Sequence, residues 1–348
     1  MTEKIARISK PTSKSKTLGS AIIGLGIGRQ HVIGCGVTDG VEPRVICDLS
    51  HEKLMSVREE FPGVDCVSRW DDVIGRDDID LVVVASFDDA HCEQVIAALE
   101  SDKHVFVEKP LCLNEDQLHR IYRAWSSGPS QWLMSNLVLR AAPLYRWLKE
   151  QIVMGRLGDI YAIDGDYLYG RIHKITSGWR SEVDDYSVMM GGGIHMADLM
   201  LWLAGERPDL VRAHGNHICT QDSVFRYRDF TAATYEFPSG LVGRITANFG
   251  CVHRHQHVLR VFGTKGTFIY DDQGPRLIDS REPEQAPQWI EHSPLPAHKW
   301  DLIPDLVQAI HQGHDPTSRV QQEFDLISIG LAADQSAEYG TSIEITYL

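Results

Sequence analysis

The sequence lacks a hydrophobic run long enough to cross a membrane. A membrane-spanning helix needs about 20 consecutive apolar residues, and the 348-residue chain contains no run of that length. The first 17 residues carry basic and polar side chains without the apolar core of a secretory signal. We therefore expect a cytoplasmic protein with no membrane partner, whose residues 1–17 form a flexible tail.

Positive charge and paired cysteines are also scarce. The chain has 34 Lys and Arg against 48 Asp and Glu, a net charge of −14. Nucleic-acid binding depends on basic surfaces, so this balance argues against a nucleic-acid partner. A local basic pocket for an anionic substrate remains compatible with it. The seven cysteines include no Cys-x-x-Cys pair, which is typical of reduced thiols in a cytosolic protein.

What remains is the composition of a folded protein, with 43% apolar and 24% charged residues. Up to residue 138, short apolar segments alternate with helical segments, which predicts an α/β domain with a parallel sheet. From residue 139 to 348, β segments at hairpin spacing predict an α+β domain. Its mostly antiparallel sheet would have one face covered by helices and one open face. The last helix, about residues 323–339, could pack back on the first domain.

A glycine-rich turn follows the first apolar segment. Gly24, Gly26 and Gly28 would let the backbone approach a pyrophosphate at a helix N-terminus. The usual spacing is GxGxxG, and here the third glycine comes one residue early. Asp48 ends the next strand 20 residues later, where a carboxylate accepts hydrogen bonds from a ribose. These features predict a Rossmann dinucleotide-binding domain at residues 18–138.

Asp48 also bears on which dinucleotide binds. No arginine stands beside it, so a 2′-phosphate would meet an uncompensated negative charge, which favours NAD over NADP. An alternative remains open, in which Asp48 merely caps the helix of residues 50–60.

The segment Glu108-Lys109-Pro110 ends a buried strand, at the sheet edge where ligands bind in open α/β folds. Lys109 is either a chemical group or an ordinary surface charge. A lysine serves as a general base near neutral pH when burial and neighbouring positive charge lower its pKa.

A second glycine-rich stretch, Gly191-Gly-Gly-Ile-His195-Met-Ala-Asp198, opens a helix in the second half. His195 and Asp198 are three residues apart, so they share a helix face. A histidine can exchange a proton near pH 7. The alternative is a buried histidine that is simply hydrogen-bonded by Asp198.

Three alternating histidines, His253, His255 and His257, would share one face of a strand. No cysteine or carboxylate is placed with them to complete a zinc site. We therefore expect an oligomer interface or a pocket rim there, and no metal.

The ordered set of these motifs resembles the Gfo/Idh/MocA family of glucose–fructose oxidoreductase and inositol dehydrogenase. The matching segments run in order through nearly the whole chain. They are the glycine turn, Asp-Asp-Ala-His91, Val-Glu108-Lys109-Pro110, Asn136-Leu-Val-Leu-Arg140, Gly178-Trp179-Arg180 and Gly191 to Asp198.

The resemblance implies an NAD(P)-dependent dehydrogenase that transfers a hydride between nicotinamide and a secondary alcohol of a sugar, polyol or sugar derivative. It implies Lys109 and His195 as catalytic residues, and Lys109, Arg180, Asp198 and His195 as substrate-binding residues. It implies cofactor binding by Gly24, Gly26, Ile27, Gly28, Asp48, Ser86, Phe87, His91, Glu108, Lys109, Trp179 and Arg180. Family members associate through the open sheet face, so residues 139–348 are expected to bind substrate and to form a homodimer or homotetramer.

One departure concerns the second motif. Many family members have Asp four residues before the histidine, whereas this sequence has Gly191. The resemblance therefore places more of the proton chemistry on Lys109. Arg180 could attract a carboxylate or phosphate of the substrate, or it could be a solvated loop residue.

Two other functions fit the same motifs. One is an NAD-dependent glycoside hydrolase that oxidises the sugar transiently to permit elimination. The other is a non-catalytic dinucleotide-binding sensor, against which the intact Glu108-Lys109-Pro110 and His195 argue.

Overall fold

The computed structural model describes residues 16–128, 130–184 and 186–348. The predicted tail of residues 1–17 therefore lies outside the described residues, apart from its last two. Of these, Lys16 donates to Asp80 Oδ1 at 2.9 Å. No helix in the described ranges is both long and apolar enough to cross a membrane.

The first sheet has six parallel strands in the order β3-β2-β1-β4-β5-β6. Its strands are Leu18–Ile23 (β1), Val41–Cys47 (β2), Asp65–Val67 (β3), Leu81–Val84 (β4), His104–Val107 (β5) and Leu133–Ser135 (β6). The helices that connect them are Gly28–Val37 (α1), His51–Glu60 (α2), Asp71–Ile74 (α3), His91–Glu100 (α4) and Glu115–Ser126 (α5). The central strands are apolar because helices cover both of their faces. This confirms the predicted Rossmann domain.

The second sheet has nine strands in the order β14-β13-β12-β11-β7-β10-β9-β8-β15, and all pairs are antiparallel except β7 with β10. Its strands are Ile160–Leu168 (β7), Leu210–Asn216 (β8), Phe230–Glu236 (β9), Val242–Asn248 (β10), Gln256–Gly263 (β11), Thr267–Asp271 (β12), Gly274–Ile278 (β13), Gln288–Trp289 (β14) and Ile343–Glu344 (β15). Its helices are Pro143–Val153 (α6), His173–Thr176 (α7), Ile194–Ala204 (α8), Ile303–His311 (α9) and Thr317–Tyr339 (α10).

One face of this second sheet is buried and the other is open, as predicted. Buried and exposed residues alternate along β9 and β10, because α8 and α10 cover one side. The open face is polar. Arg244 pairs with Asp164 at 2.8 Å, and Arg260 pairs with Asp166 at 3.3 Å.

Several boundaries differ from the predictions. Strand β6, which ends the first domain, is only three residues long, because the chain after Ser135 turns so that Asn136 reaches Glu108. Strands β3, β13, β14 and β15 were not predicted, and they are short or at a sheet edge. Helix α10 begins six residues before the predicted residue 323.

Two helices from the second half pack on the first domain, so the domain boundary at residue 138 is crossed twice. Helix α10 contacts α5 and β6, and Phe324 lies edge-on to Tyr122 with ring centroids 5.1 Å apart. Helix α9 adds Ile303 and Val307 to the core formed by α1 and β1. The residues just before α9 are thereby held close to the carboxyl edge of the first sheet.

The contact between α1 and the segment before α9 can be tested at Gly34. A methyl group there would lie 2.6 Å from Trp300 Cβ, so we expect Gly34→Ala to lower the free energy of unfolding by about 1–3 kcal/mol. Gly36 in the same helix has only an ordinary contact at 3.5 Å. Gly36→Ala should be neutral or stabilising by up to about 1 kcal/mol. Urea denaturation measures both, and equal effects would contradict the packing described.

Candidate functional site

A cavity of about 750 Å³ opens at the carboxyl edge of the first sheet, a volume typical of ligand sites. Ten of the predicted site residues line it: Gly24, Gly26, Ile27, Asp48, Ser86, Phe87, Glu108, Lys109, Trp179 and Arg180. The first eight come from the first domain and the last two from the loop after α7. The cavity therefore spans from the glycine turn to the second domain.

The three glycines of the first turn do three different things. Gly24 has φ +87°, and a methyl group there would lie 2.5 Å from Ala85 O. A methyl group on Gly26 would meet nothing within 4 Å, so this backbone is open to a ligand in the cavity. Gly28 packs against Ala85 and Ile22, each 3.1 Å from where a methyl group would lie. Tight turn, open approach and close helix packing are what a dinucleotide-binding turn requires.

Asp48 lies at the far end of the same cavity. Its Oδ2 accepts from Leu25 N at 2.7 Å and its Oδ1 accepts from Ser50 N at 2.8 Å. The cap of α2 is Ser50, whose hydroxyl accepts from Lys53 N, so the alternative role of Asp48 as the helix cap is wrong. Each carboxylate oxygen keeps a lone pair for a ribose hydroxyl.

The expectation that no cation compensates Asp48 is also wrong. Lys53 Nζ lies 3.6 Å from Asp48 Oδ2 and lines the cavity. The separation of Asp48 and Lys53 in the sequence hides this contact, because the first turn of α2 brings residue 53 back over the end of the strand.

Glu108 is the anchor of the Glu-Lys-Pro turn. His31 Nε2 lies 2.9 Å from Glu108 Oε1, and Asn136 Nδ2 donates to the same oxygen at 2.7 Å. Burial alone would raise the pKa of Glu108. The hydrogen bond and charge of His31, together with Asn136 and Lys109, instead lower this pKa to about 2. The carboxylate therefore stays ionised and fixed, which orients the residue that follows it.

Lys109 projects between the two domains and is not a surface charge. Its Nζ donates to Gly191 O at 3.0 Å. Burial lowers the pKa of Lys109, and the positive charges of Arg180 and Lys299 act in the same direction. Asp88 and Glu108 oppose this without reversing it. A lysine with a lowered pKa next to a cavity has the character of a general base.

His195 follows the glycine turn of the second domain and stacks near Tyr167, with ring centroids 6.1 Å apart. Its Nδ1 is buried without a partner among the described residues. Burial lowers the pKa of His195 well below its ordinary value, and Lys109 and His257 lower it further. The imidazole is therefore neutral at pH 7 and can accept or donate a hydrogen bond.

His255 and His257 lie beside His195, whereas His253 does not. The rings of His255 and His257 are 4.8 Å apart, and His257 is 5.9 Å from His195. Burial lowers the pKa of His255 to about 4 and that of His257 to about 3. His253 instead pairs with Asp272 at the surface. Of the two expected locations, the pocket side fits His255 and His257.

No metal site was expected at these histidines. Within residues 16–128, 130–184 and 186–348, no group of three or more histidine, cysteine or acidic side chains is arranged to hold a metal ion.

Trp179 and Arg180 close the cavity from the second domain. The Trp179 ring is 5.1 Å from Phe87, and the Arg180 guanidinium stacks on it at 4.3 Å. Arg180 is therefore held in the cavity wall and is not a solvated loop residue.

Four predicted residues do not line the cavity: Gly28, His91, His195 and Asp198. His91 is fully buried, and its Nδ1 is 2.7 Å from Pro110 O. It holds the Glu-Lys-Pro turn and does not face a cofactor.

Asp198, expected at the substrate, is 1% exposed and pairs with Arg140. Both of its oxygens accept from Arg140, at 2.6 to 3.0 Å. The expected substrate role of Asp198 is therefore wrong, and so is the alternative in which Asp198 bonds His195, because Arg140 takes up both oxygens of the carboxylate in this buried ion pair.

Sequence reasoning also missed residues that the fold brings in. Asp88 lines the cavity with one carboxylate oxygen unpartnered among the described residues. His31, Asn136 and Lys299 act around Glu108 and Lys109. Asp88 and Asn136 each stand inside a segment that matches the family, Asp-Asp-Ala-His91 and Asn136-Leu-Val-Leu-Arg140, which was the available signal. His31 and Lys299 carried none.

Two family models match this chain. The oxidoreductase family with an NAD-binding Rossmann fold matches residues 18–132, and the Gfo/Idh/MocA C-terminal domain matches residues 145–269. The chain belongs to the Gfo/Idh/MocA family. It is therefore an oxidoreductase with an NAD-binding Rossmann domain, as the motifs implied.

Relatives that are named for an activity match this chain over nearly its full length. The myo-inositol 2-dehydrogenase of Thermotoga maritima is 23% identical over 93% of this chain and 97% of its own. The 1,5-anhydro-D-fructose reductase of Ensifer adhaerens is 26% identical over 92% and 96%. The structure of a levoglucosan dehydrogenase with NADH and levoglucosan has a TM-score of 0.81 at 20% identity, covering 95% of this chain and all of the other. At that identity the likeness establishes the shared fold.

The residues of the cavity fit the cofactor of the family. The open backbone at Gly26 suits a pyrophosphate, and the oxygens of Asp48 suit a ribose. The end of the cavity opposite Asp48 reaches Lys109.

Cofactor choice can be tested at Asp48. In Asp48→Ser the ribose loses a charged acceptor, so affinity for NAD should fall about 10- to 100-fold. Lys53 would then face a 2′-phosphate unopposed, so use of NADP should rise. Lys53→Ala in the same background should remove that gain. Fluorescence titration with NADH and NADPH measures both, and an unchanged preference would contradict this role.

The buried ion pair predicts a loss of stability without a change in cofactor binding. Asp198→Ala leaves Arg140 buried and unpaired, which should cost about 3–5 kcal/mol. Asp305→Ala removes an exposed pair with Arg146 and should cost at most about 1 kcal/mol. Urea denaturation compares them. A stable Asp198→Ala protein with a raised KM for substrate would restore the original assignment.

Proposed function

We propose that this protein is an NAD-dependent dehydrogenase that oxidises a secondary alcohol of a polyol, sugar or sugar derivative. The observation that carries the proposal is the position of Lys109. It lines the dinucleotide cavity, and its Nζ also touches the glycine turn from which His195 projects. A base at this junction can reach both the cofactor end and the second domain.

Lys109 acts as the general base in this proposal. NAD held along Gly26 and Asp48 would supply the acceptor for the hydride of the carbinol carbon. Lys109 Nζ takes the hydroxyl proton in the oxidation direction and returns it in reduction. The lowered pKa allows this, because the neutral amine becomes accessible below the ordinary lysine range.

His195 holds the reacting oxygen from the other side. Its neutral ring offers one donor and one acceptor, and the ring lies beside those of Tyr167 and His257. Arg180 is placed to orient substrate oxygens at the cavity wall. Both roles complete the set of groups around the carbinol.

The substrate class rests on the relatives. Proteins named for inositol and anhydrofructose match this chain over nearly its full length. We further propose that the open face of the second sheet joins subunits into a homodimer or homotetramer, and that the enzyme works in the cytoplasm. The seven free cysteines support a reducing compartment.

The base assignment predicts a large and specific loss. Lys109→Ala should lower kcat by two or more orders of magnitude, because general-base catalysis contributes about 10²–10⁴-fold. NADH binding should persist, since the glycine turn and Asp48 are untouched. Lys103→Ala removes a lysine at the opposite end of β5 whose Nζ bonds Arg76 O, and it should retain normal activity.

The same base fixes the pH dependence. Oxidation needs the neutral amine, so kcat should rise with pH through a pKa below the ordinary lysine value of 10.5. A screen for NADH formation on a polyol and sugar panel supplies the rates. Stoichiometric formation of NADH from free sugar distinguishes a dehydrogenase from a hydrolase that oxidises its sugar only transiently. Normal turnover in Lys109→Ala would contradict the proposal.

A further inference from the structure

The absence of a side chain at Gly191 has a specific structural consequence. A methyl group on Gly191 would lie 2.2 Å from Tyr186 Oη and 2.7 Å from Tyr186 Cζ. Only a glycine therefore allows the tyrosine hydroxyl to rest against this backbone. The space that any side chain at position 191 would fill is occupied by Tyr186.

The Tyr186 ring is fixed in this place by apolar packing. It is 3% exposed, and it lies edge-on to Phe225 at 5.8 Å and to Phe249 at 6.5 Å between ring centroids. A ring held in this way presents its hydroxyl in one direction, and that direction is toward Gly191.

The hydroxyl proton has no acceptor. Among the described residues, Tyr186 Oη has no hydrogen bond of good geometry. The Arg180 guanidinium lies close enough to donate toward the Tyr186 oxygen, but a guanidinium only donates. Asp88 and Tyr169 also lie close enough to influence the pKa of Tyr186. A buried donor without an acceptor is costly, so the site is set up for an acceptor that arrives with a ligand.

The surroundings show where that ligand would be. Gly191 lies against the Tyr186 hydroxyl, and the carbonyl of the same residue accepts from Lys109 Nζ at 3.0 Å. Arg180, the cationic neighbour of this hydroxyl, lines the dinucleotide cavity. The hydroxyl therefore lies beside the proposed base and the cofactor end of the cavity.

Burial also determines which hydrogen-bonding role is open to it. Burial raises the pKa of Tyr186 above its ordinary value, and Arg180 only partly opposes this. The phenol remains protonated at neutral pH, so it is available as a donor and does not compete with Lys109 as the base.

We propose that Tyr186 Oη donates a hydrogen bond to a substrate oxygen next to the reacting carbon, in the position left open by Gly191. The proposal rests on the dehydrogenase function above and extends it. It identifies which group takes up the space of the side chain that Gly191 lacks.

The test is Tyr186→Phe, which removes the hydroxyl and keeps the ring. Tyr145→Phe is the matched control, because Tyr145 is equally buried and its hydroxyl is likewise unpartnered among the described residues, but it belongs to α6. We expect Tyr186→Phe to lower kcat/KM for the best polyol or sugar of the panel by about 10- to 100-fold. Tyr145→Phe should change it less than about twofold. NADH affinity should be unchanged in both.

Two readouts separate a substrate contact from a structural role. The pH profile of kcat set by Lys109 should keep its shape in Tyr186→Phe, since the phenol does not titrate in that range. The affinity of the NADH complex for the same polyol, measured by calorimetry without turnover, should fall in parallel with kcat/KM. Gly191→Ala should produce a loss in the same direction, because its methyl group displaces the hydroxyl.

Failure of this inference is distinct from failure of the proposed function. A wild-type protein that binds a polyol without forming NADH would overturn the dehydrogenase proposal, while polyol affinity would still report on Tyr186. Wild-type affinity and kcat/KM in Tyr186→Phe would overturn the inference and leave the role of Lys109 intact.

Discussion

The hydrogen bond from Lys109 Nζ to Gly191 O joins the two domains at the point where the chemistry is proposed. Each end is positioned by an independent set of contacts. On the first domain, His31 and Asn136 clamp Glu108 and so fix the turn that carries Lys109. On the second, aromatic rings press on the glycine turn, which has no side chains to resist them. The bond forms where both sets of contacts are satisfied together, so the site depends on the docking of the domains.

Charge around this bond decides the protonation states. The carboxylates of Asp88 and Glu108 raise the pKa of Lys109, but burial and the positive charges of Arg180 and Lys299 lower it by more. The pKa of Lys109 therefore falls below its ordinary value. Burial also lowers the pKa of His195, and Lys109, His257 and Lys299 lower it further, so its ring stays neutral. A protein with a net charge of −14 thus contains a local cluster of positive charge at its site. The excess of acidic residues elsewhere has no bearing on this chemistry because those charges are solvated and distant.

Local patterns allowed much of the fold and part of the site to be predicted. Three features could be predicted because neighbours within a few residues determine each of them: the glycine turn, the strand ending in Asp48 and the strand ending in Glu108. The open sheet could be predicted from β segments at hairpin spacing. Asp198 shows the limit of such reasoning. Spacing correctly placed it near His195 on α8, yet its partner Arg140 lies 58 residues away. Whether a carboxylate faces a substrate or a buried arginine is decided by tertiary packing, and no interval in the sequence reports it.

Position 191 shows the same limit in the opposite direction. A motif that lacks its acidic residue looks like a site that has lost a group. In the folded protein the missing side chain is the condition for another group to enter, because the Tyr186 hydroxyl fits only against a bare backbone. The two positions are five residues apart, and Gly191 lies within a wide π-type turn at Met189–Gly193, so the α-helical spacing of three or four residues does not relate them. Where a catalytic motif has a glycine in place of an acidic residue, another polar group can therefore take the place of the carboxylate. The residue that fills the space next to the glycine Cα identifies that group.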